Sequence, residues 1–137
     1  MTYSIGDVAH KLNITIPTIR YYDREGLLPF VERTKNGSRV FKDTDIELLN
    51  IIQCFKLSGL SIKEIKDFIE WCAEGDSTLQ QRYDLFMERK TAVEAQMKEL
   101  KETLDLINHK CDYYKTAVEA GTEDVHKDNK IGNTIFE

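Results

Sequence analysis

A regular series of apolar residues near the C-terminal end constrains the fold of this chain more than any other feature. The series alternates steps of four and three residues over about forty positions, and Lys90 is its only charged member. It consists of Leu79, Tyr83, Phe86, Lys90, Val93, Met97, Leu100, Leu104, Ile107, Cys111, Tyr114 and Val118. This heptad spacing predicts one long helix with an apolar seam. No other segment is long enough to cover the seam, so we expect an antiparallel coiled coil with a second copy, related by two-fold symmetry.

Two short helices are predicted at the start of the chain. Ser4 can cap the first helix, whose apolar residues continue at helical spacing to Leu12. Thr15 can cap the second helix, Pro17 is tolerated in its first turn, and Gly26 is suited to the residue just past its end. Two short helices joined by a tight turn are typical of a helix-turn-helix motif, in which the second helix reads DNA. An ordinary corner between two helices would show the same pattern.

The second helix, which we call the reading helix, has two different sides. At 100° per residue, Ile16, Ile19 and Tyr22 fall on one side. The other side carries Pro17, Arg20, Tyr21 and Arg24. A cationic and aromatic face is suited to phosphates and base edges, because arginine donates in a fork and tyrosine offers a hydroxyl and a stacking surface. The same geometry adds Thr18 and Arg24 as candidate contacts, although Arg24 could equally form a surface ion pair.

A β-hairpin, which we call the wing, is predicted over residues 27–42. Leu27-Leu28 and Arg39-Val40-Phe41 resemble short strands, and Asn36-Gly37 between them is a strong hairpin signal. Arg33, Lys35 and Arg39 place positive charge around this hairpin. A basic hairpin beside a reading helix favours contact with DNA, whereas the alternative is a surface hairpin with ordinary solubilising charges.

The remaining helices complete a mainly α fold. Helices are predicted over 44–58, capped by Asp43 or Thr44, and over 62–74, opened by a capping box from Ser61. Asp76 and Ser77 are expected to cap the long helix. We therefore predict a winged helix-turn-helix DNA-binding head over 1–75, a dimerisation coiled coil over 76–119, and a polar, loosely ordered tail over 120–137.

The charge is unevenly distributed, which keeps DNA binding open. The net charge is −5, yet residues 1–43 hold seven Lys and Arg against five Asp and Glu, whereas residues 44–137 hold twelve against nineteen. Local charge decides such a contact. Three cysteines do not suggest a disulfide framework, and no apolar run approaches the length of a membrane span. We expect a cytoplasmic protein with free thiols and no membrane partner.

Four stretches together resemble the MerR family of bacterial transcription regulators. They are Thr18-Ile19-Arg20-Tyr21-Tyr22, Gly26-Leu27-Leu28-Pro29, Asn36-Gly37-Ser38-Arg39-Val40-Phe41 and Ser58-Gly59-Leu60-Ser61-Ile62-Lys63-Glu64-Ile65. They occur in the family's order and spacing, and the likeness covers roughly residues 2–118. The resemblance implies a homodimer on a palindromic promoter whose spacer is too long for RNA polymerase. The activated dimer would bend and untwist this DNA.

The resemblance also implies roles for particular residues. Arg20 and Tyr21 would contact DNA, Tyr22 would partly pack and partly reach the DNA backbone, and Arg39 would grip a phosphate. Cys54 resembles the single cysteine of the NmlR- and AdhR-like branch, which responds to aldehydes and other thiol-reactive electrophiles, and this implies a stress response. A small, half-buried packing residue is the alternative for Cys54.

The sequence gives less support to other functions. Cys72 could approach Cys111 and His109 of a partner chain and bind zinc or copper, but the close cysteine pair that marks many metal sensors of the family is missing. A coiled-coil adaptor that does not bind DNA is a further alternative. An enzyme is not expected, because no Cys-His, Ser-His-Asp or phosphate-loop pattern occurs. We expect no cofactor and no resident metal, and surface roles for His10 and His126.

Overall fold

The computed structural model describes residues 1–126, which form five α-helices, three short strands and two turns of 3-10 helix. The first part comprises β1 (Thr2–Tyr3), α1 (Ile5–Leu12), α2 (Ile16–Arg24), β2 (Glu32–Arg33) and β3 (Arg39–Lys42). The second part comprises α3 (Asp43–Leu57), α4 (Ile62–Glu74), a 3-10 turn (Asp76–Thr78), α5 (Leu79–Ala120) and a second 3-10 turn (Glu123–His126). The predicted winged helix-turn-helix followed by a long helix is confirmed.

The helix-turn-helix forms because its caps are local. The Ser4 hydroxyl accepts a hydrogen bond from the Asp7 N–H (3.1 Å), and the Asp7 carboxylate accepts one from the Ser4 N–H (3.2 Å). Asn13 ends α1 in the left-handed conformation with φ 54°. The Thr15 hydroxyl then caps α2 by accepting a hydrogen bond from the Thr18 N–H (3.2 Å). These two helices end and begin where the sequence predicts.

The wing differs from the prediction in its first strand. β3 is the central strand of a three-stranded antiparallel sheet, paired with β1 on one side and with β2, Glu32–Arg33, on the other. Leu27 and Leu28 were expected to be a strand, and this was wrong, because both are buried in the core directly after α2. Gly26, with φ +80°, turns the chain so that the Leu27 N–H donates to the Tyr22 carbonyl instead of to a strand.

Helices α3 and α4 supply the centre of the core. The inner side of α3 includes Leu49, Ile52 and Phe55, which are completely buried. The predicted cap of α3 was wrong: Asp43 is the first helical residue, and the buried Asp45 carboxylate accepts the Lys42 N–H (2.9 Å). Because β3 runs directly into α3, Lys42 is the residue just before the helix. The carboxylate that can reach its N–H belongs to Asp45, in the first turn of α3. Helix α4 begins as predicted, with Ser61 and Glu64 forming a capping box.

The start of α5 is also different from the prediction. Asp76 and Ser77 do not cap it but lie in the 3-10 turn before it. The hydroxyl of Thr78, which is almost completely buried, lies 2.6 Å from the Trp71 carbonyl oxygen and 2.8 Å from that of Gly75. Thr78 thereby links the end of α4 to the start of α5.

The chain divides into two compact units, Met1–Thr91 and the part from Ala92 onward. The first turns of α5 belong to the first unit, because the Phe86 ring packs on Phe55 and Phe68 with centroid distances of 5.0 and 5.6 Å. The predicted domain boundaries at residues 75 and 119 lie near the ends of α4 and α5 and not at the limit between the two compact units, and they stay predictions. No helix within residues 1–126 combines the length and apolar character that a membrane crossing requires.

The second unit contains the rest of α5 and the 3-10 turn Glu123–His126. His126 stacks on the buried Tyr113 ring at 4.1 Å, and its Nε2 lies 3.0 Å from the Tyr113 carbonyl oxygen. The Tyr113 hydroxyl donates to Glu123 (3.2 Å). Glu123 and His126 therefore contact the helix, and the expectation of a plain surface role for His126 was wrong. The polar tail over 120–137 stays a prediction, and its part beyond residue 126 lies outside the described residues.

Candidate nucleic-acid interface

The reading helix α2 shows the two sides that its sequence predicts. Ile19 is completely buried and Tyr22 is 7% exposed, so these residues anchor the helix in the core. Arg20 and Arg24 are exposed, and Tyr21 keeps 40% of its surface in solvent. The outer side therefore presents two guanidinium groups and a phenol ring on a helix that the core holds in place. Such a surface can donate to phosphates and to base edges.

Two of the candidate contact residues lie deeper than the others. Burial raises the pKa of the Tyr22 hydroxyl, with a smaller contribution from Tyr21. Thr18 is half-buried, and its hydroxyl oxygen lies 2.7 Å from that of the capping residue Thr15. Tyr22 is thus mainly a core residue and Thr18 mainly part of a cap. Their contacts with DNA stay predictions.

The wing lies beside α2 and is attached to it by an acidic residue. Asp23 Oδ2 accepts hydrogen bonds from Arg39 Nε (2.5 Å) and from Arg33 Nη2 (3.2 Å). Arg33 Nη1 also donates to the Gly37 carbonyl oxygen (3.1 Å) in the tip of the hairpin. Lys35 is exposed in the same tip. The structure therefore brings two of the predicted wing cations, Arg33 and Arg39, to the reading helix, with Arg39 half-buried and paired.

Sequence reasoning did not identify Asp23 as part of this surface. The available signal was an acid on an otherwise basic helix, only three residues from Arg20 and next to Arg24. An acid placed where phosphates are expected to bind is unfavourable unless it has another partner. The partners, Arg33 and Arg39, are ten and sixteen residues away.

Cys54 lies on the last turns of α3 and is exposed. Its carbonyl oxygen accepts the N–H of Ser58, which ends the helix (3.0 Å). Gln53, Lys56 and Leu57 from the same turns line a groove of about 440 Å³ with residues of the helix-turn-helix. The Cys54 thiol is thus accessible to a small reactive molecule, and its helix contacts the DNA-binding motif.

The other candidate ligands do not form a site within one chain. Cys72 is half-buried, whereas Cys111 and His109 are exposed on α5. Within residues 1–126, no three His, Cys, Asp or Glu side chains come together in a way that could hold a metal ion. A metal site of Cys72 with Cys111 and His109 would therefore require the partner chain.

The apolar seam of α5 is open to solvent in the single chain. Exposed fractions reach 64% for Met97, 69% for Leu100 and 78% for Val118. Further members of the seam that are exposed are Leu79, Tyr83, Phe86, Leu104, Ile107 and Tyr114. A contiguous apolar surface of this kind marks an interaction site.

Several known proteins are similar to this chain in sequence or in structure. Residues 3–70 match the MerR HTH family regulatory protein model, and residues 46–110 match the MerR, DNA binding model. An HTH-type transcriptional regulator of Haemophilus influenzae is 42% identical over 122 residues, which cover 89% of this chain and 90% of the relative. The HTH-type transcriptional regulator AdhR of Bacillus subtilis is 33% identical over 87 residues, covering 64% of this chain and 62% of AdhR.

Solved structures agree with the sequence relatives. HiNmlR, described as a MerR family regulator lacking the sensor domain and bound to promoter DNA, superposes with a TM-score of 0.82 at 41% identity, covering 91% of this chain and 99% of HiNmlR. A MerR family regulator from Bacillus thuringiensis gives a TM-score of 0.76 at 38% identity, covering 82% and 98% of the two chains. These relatives are regulators and not enzymes. The chain therefore belongs to the MerR family and is a DNA-binding transcriptional regulator.

Proposed function

We propose that this regulator acts as a homodimer that binds a palindromic promoter and remodels its over-long spacer in response to thiol-reactive electrophiles or aldehydes, sensed at Cys54. The proposal rests chiefly on one observation: a polar reading surface and a solvent-exposed apolar seam occur in the same chain. The seam would bind a second copy of the chain, and that copy carries the second reading helix that a palindrome requires.

The exposed seam supports the homodimer. Burying a leucine side chain contributes about 1.5–3 kcal/mol, and leucines at positions 100 and 104 are each at least half exposed in the single chain. Side chains repeating at heptad spacing fit a second helix of the same kind, and a two-fold axis satisfies both copies with the same surface.

The reading surface supports the DNA contacts. Arg20, Tyr21 and Arg24 face outward on α2, and Lys35 and Arg33 extend the positive charge into the wing. We assign base or phosphate contacts to Arg20 and Tyr21, with Thr18, Tyr22, Arg24, Lys35 and Arg39 around them. HiNmlR, which is similar along 91% of this chain, is bound to promoter DNA, and this supports DNA as the partner of this chain.

The proposed mechanism requires only a modest change in free energy. Bending a promoter costs on the order of a few kcal/mol, so a signal that stabilises the dimer conformation matching deformed DNA can shift the population. RNA polymerase would then contact both promoter elements. We assign the unmodified and modified dimers to two such conformations.

Cys54 is suited to a covalent signal because its thiol is exposed and its helix end contacts α5. Arg89 Nη1 of α5 donates to the Ser58 carbonyl oxygen (2.8 Å), four residues beyond Cys54. The Cys54 thiolate would add to the β-carbon of an unsaturated aldehyde or quinone. A C–S bond forms, the π electrons move to an enolate, and the enolate takes a proton from water. A bulky adduct at this position would change how α3 ends and packs on α5.

Transcription in vitro tests the proposal. We would use a promoter with a palindromic, over-long spacer and the same promoter with the spacer shortened, and add aldehyde, quinone, oxidant or zinc in turn. We expect footprints over the palindrome and an electrophile-dependent increase in transcript only from the long spacer. Absence of any footprint would favour the adaptor, and a response to zinc alone would favour the metal sensor.

A further inference from the structure

We propose that Asp23 is a positioning residue that sets operator specificity by holding the wing in register with the reading helix. The proposal rests on the proposed reading surface and adds a residue to it. Asp23 would not contact DNA itself. It would act through Arg39 and Arg33, whose guanidinium groups it binds with one carboxylate oxygen.

The pairing of the wing strands shows why an acid is needed at this position. Arg33 and Arg39 are directly opposite each other in the antiparallel ladder of β2 and β3. Like charges directly opposite each other destabilise a strand pair. The Asp23 carboxylate accepts from both arginines and neutralises this repulsion, and it does so from α2, an element outside the hairpin. One acid therefore both stabilises the hairpin and attaches it to the reading helix.

The contact is sheltered enough to fix a geometry. The Asp23 side chain is 18% exposed and that of Arg39 is 19% exposed, whereas Arg33 is 52% exposed. Ion pairs that are partly buried are screened less by salt than pairs in open solvent. Arg33 also donates to the Gly37 carbonyl oxygen, so the same network reaches the tip of the hairpin. The wing is thus held at its strands and at its loop.

The remaining donors of Arg39 would contact DNA in this proposal. A guanidinium has five N–H donors, and Asp23 uses the one on Nε. The Nη donors can then meet a phosphate in a direction that Asp23 determines. Phosphate contacts fix the register of a protein on the duplex, so a wing held in one place makes them only when the reading helix is in the correct groove position.

Removal of this acid should have opposite effects on two kinds of DNA. In Asp23→Asn, Arg33 and Arg39 lose their carboxylate partner and the head loses one negative charge. The electrostatic attraction to any DNA duplex should therefore increase. Binding to the operator loses the fixed geometry of the wing. The ratio of operator affinity to non-specific affinity should therefore fall, whereas simple unfolding of the head would weaken both affinities together.

Fluorescence anisotropy with two duplexes tests this inference. One duplex is an operator selected by the wild-type protein from random DNA, and the other is its scrambled sequence. For Asp23→Asn we expect the ratio of operator affinity to scrambled-DNA affinity to fall about tenfold, which corresponds to the loss of one hydrogen bond to a charged group. For scrambled DNA, the slope of log affinity against log salt concentration should become steeper by about one to two, since each arginine freed to contact a phosphate adds about 0.9.

Glu32→Gln is the matched control. Glu32 is also an acid of the wing, is 72% exposed, and pairs with Lys42 at 3.5 Å, so its removal changes the charge equally without touching Asp23. We expect its affinity ratio to stay within twofold of the wild-type value. Arg39→Lys, which keeps the charge but lacks the Nε donor, should lower the ratio as Asp23→Asn does, and it serves if Asp23→Asn does not fold.

The possible outcomes distinguish failure of this inference from failure of the proposed DNA-binding function. A ratio in Asp23→Asn and Arg39→Lys equal to that of Glu32→Gln would overturn the positioning role and leave the DNA-binding proposal intact. Failure of the wild-type protein to prefer any selected operator over scrambled DNA would overturn the proposed reading surface and this inference with it.

Discussion

Arg89 on α5 donates a hydrogen bond from Nη1 to the main-chain carbonyl oxygen of Ser58, 2.8 Å away at the C-terminal end of α3. The carbonyl groups at the end of a helix lack partners within the helix, so this guanidinium satisfies one of them. Ser58 is itself buried, and its hydroxyl donates to the Phe55 carbonyl oxygen. The contact connects the long helix to the helix that carries Cys54.

Replacing Arg89 with methionine should destabilise the protein while keeping most of the side-chain volume. We expect the free energy of unfolding to fall by about 2 kcal/mol, because a charged hydrogen bond to a sheltered carbonyl is lost. Urea unfolding at one fixed protein concentration measures this, since the stability of a dimer depends on concentration.

Lys101→Ala is the control for Arg89→Met. Lys101 pairs with Asp105 at 2.8 Å, but both side chains are mostly exposed, so we expect a change of only about 0.3–0.5 kcal/mol. Equal effects of the two substitutions would show that the Ser58 contact contributes no more than a surface ion pair.

A charge within the seam should abolish the dimer. Leu104 is 50% exposed in the single chain and belongs to the heptad series, so Leu104→Lys would place an unpaired ammonium in the proposed interface. We expect sedimentation equilibrium to show monomers at concentrations where the wild-type protein is dimeric. Glu102→Lys lies off the seam and should leave the dimer unchanged. A dimeric Leu104→Lys protein would locate the interface elsewhere.

Removal of the Arg20 guanidinium should weaken operator binding. We expect Arg20→Ala to reduce operator affinity about 10- to 100-fold, in keeping with the loss of about 1–3 kcal/mol for one base contact. If the contact is instead to a phosphate, the loss should be similar on operator and scrambled DNA, with a salt slope about 0.9 shallower. Anisotropy titrations at several salt concentrations separate the two cases.

Lys101→Ala also serves as the control here, because it removes one positive charge from α5 rather than from α2. Its operator affinity should stay close to that of the wild-type protein. If Arg20→Ala and Tyr21→Ala together still protected the palindrome in footprinting, the reading surface would be assigned to the wrong residues.

The thiol of Cys54 should be required for the signal and dispensable for DNA binding. We expect Cys54→Ser to bind the operator as the wild-type protein does and to lose the transcriptional response to unsaturated aldehydes and quinones. Mass spectrometry of the treated wild-type protein should place the adduct on Cys54. Cys72→Ser and Cys111→Ser are the matched controls and should keep the response. A normal response in Cys54→Ser would remove this residue from the mechanism.

The features predicted from sequence are mostly those in which the interacting residues are neighbours in the chain. The caps predicted at Ser4 and Ser61 are both present, and each pairs with an acid three residues along the chain, Asp7 or Glu64. The buried side of α2 followed from helical periodicity in the same way. Leu27 and Leu28 were misassigned because two consecutive apolar residues look alike in a strand and in a buried turn.

The features that sequence reasoning missed join distant parts of the chain. Asp23 reaches Arg39 sixteen residues away, and Arg89 reaches Ser58 across thirty-one. No local pattern encodes such a partner, because the contact exists only once the helices have packed. His126 was taken for a surface residue for the same reason, since its partner Tyr113 lies on the preceding helix.

The Phe86 ring against Phe55 and Phe68 has a practical consequence for anyone preparing an isolated DNA-binding fragment. A fragment cut at the end of α4 would leave two large aromatic rings facing water and would be prone to aggregate. A fragment extended through Thr91 would retain the Phe86 ring over these two rings, together with the contact of Arg89 with Ser58.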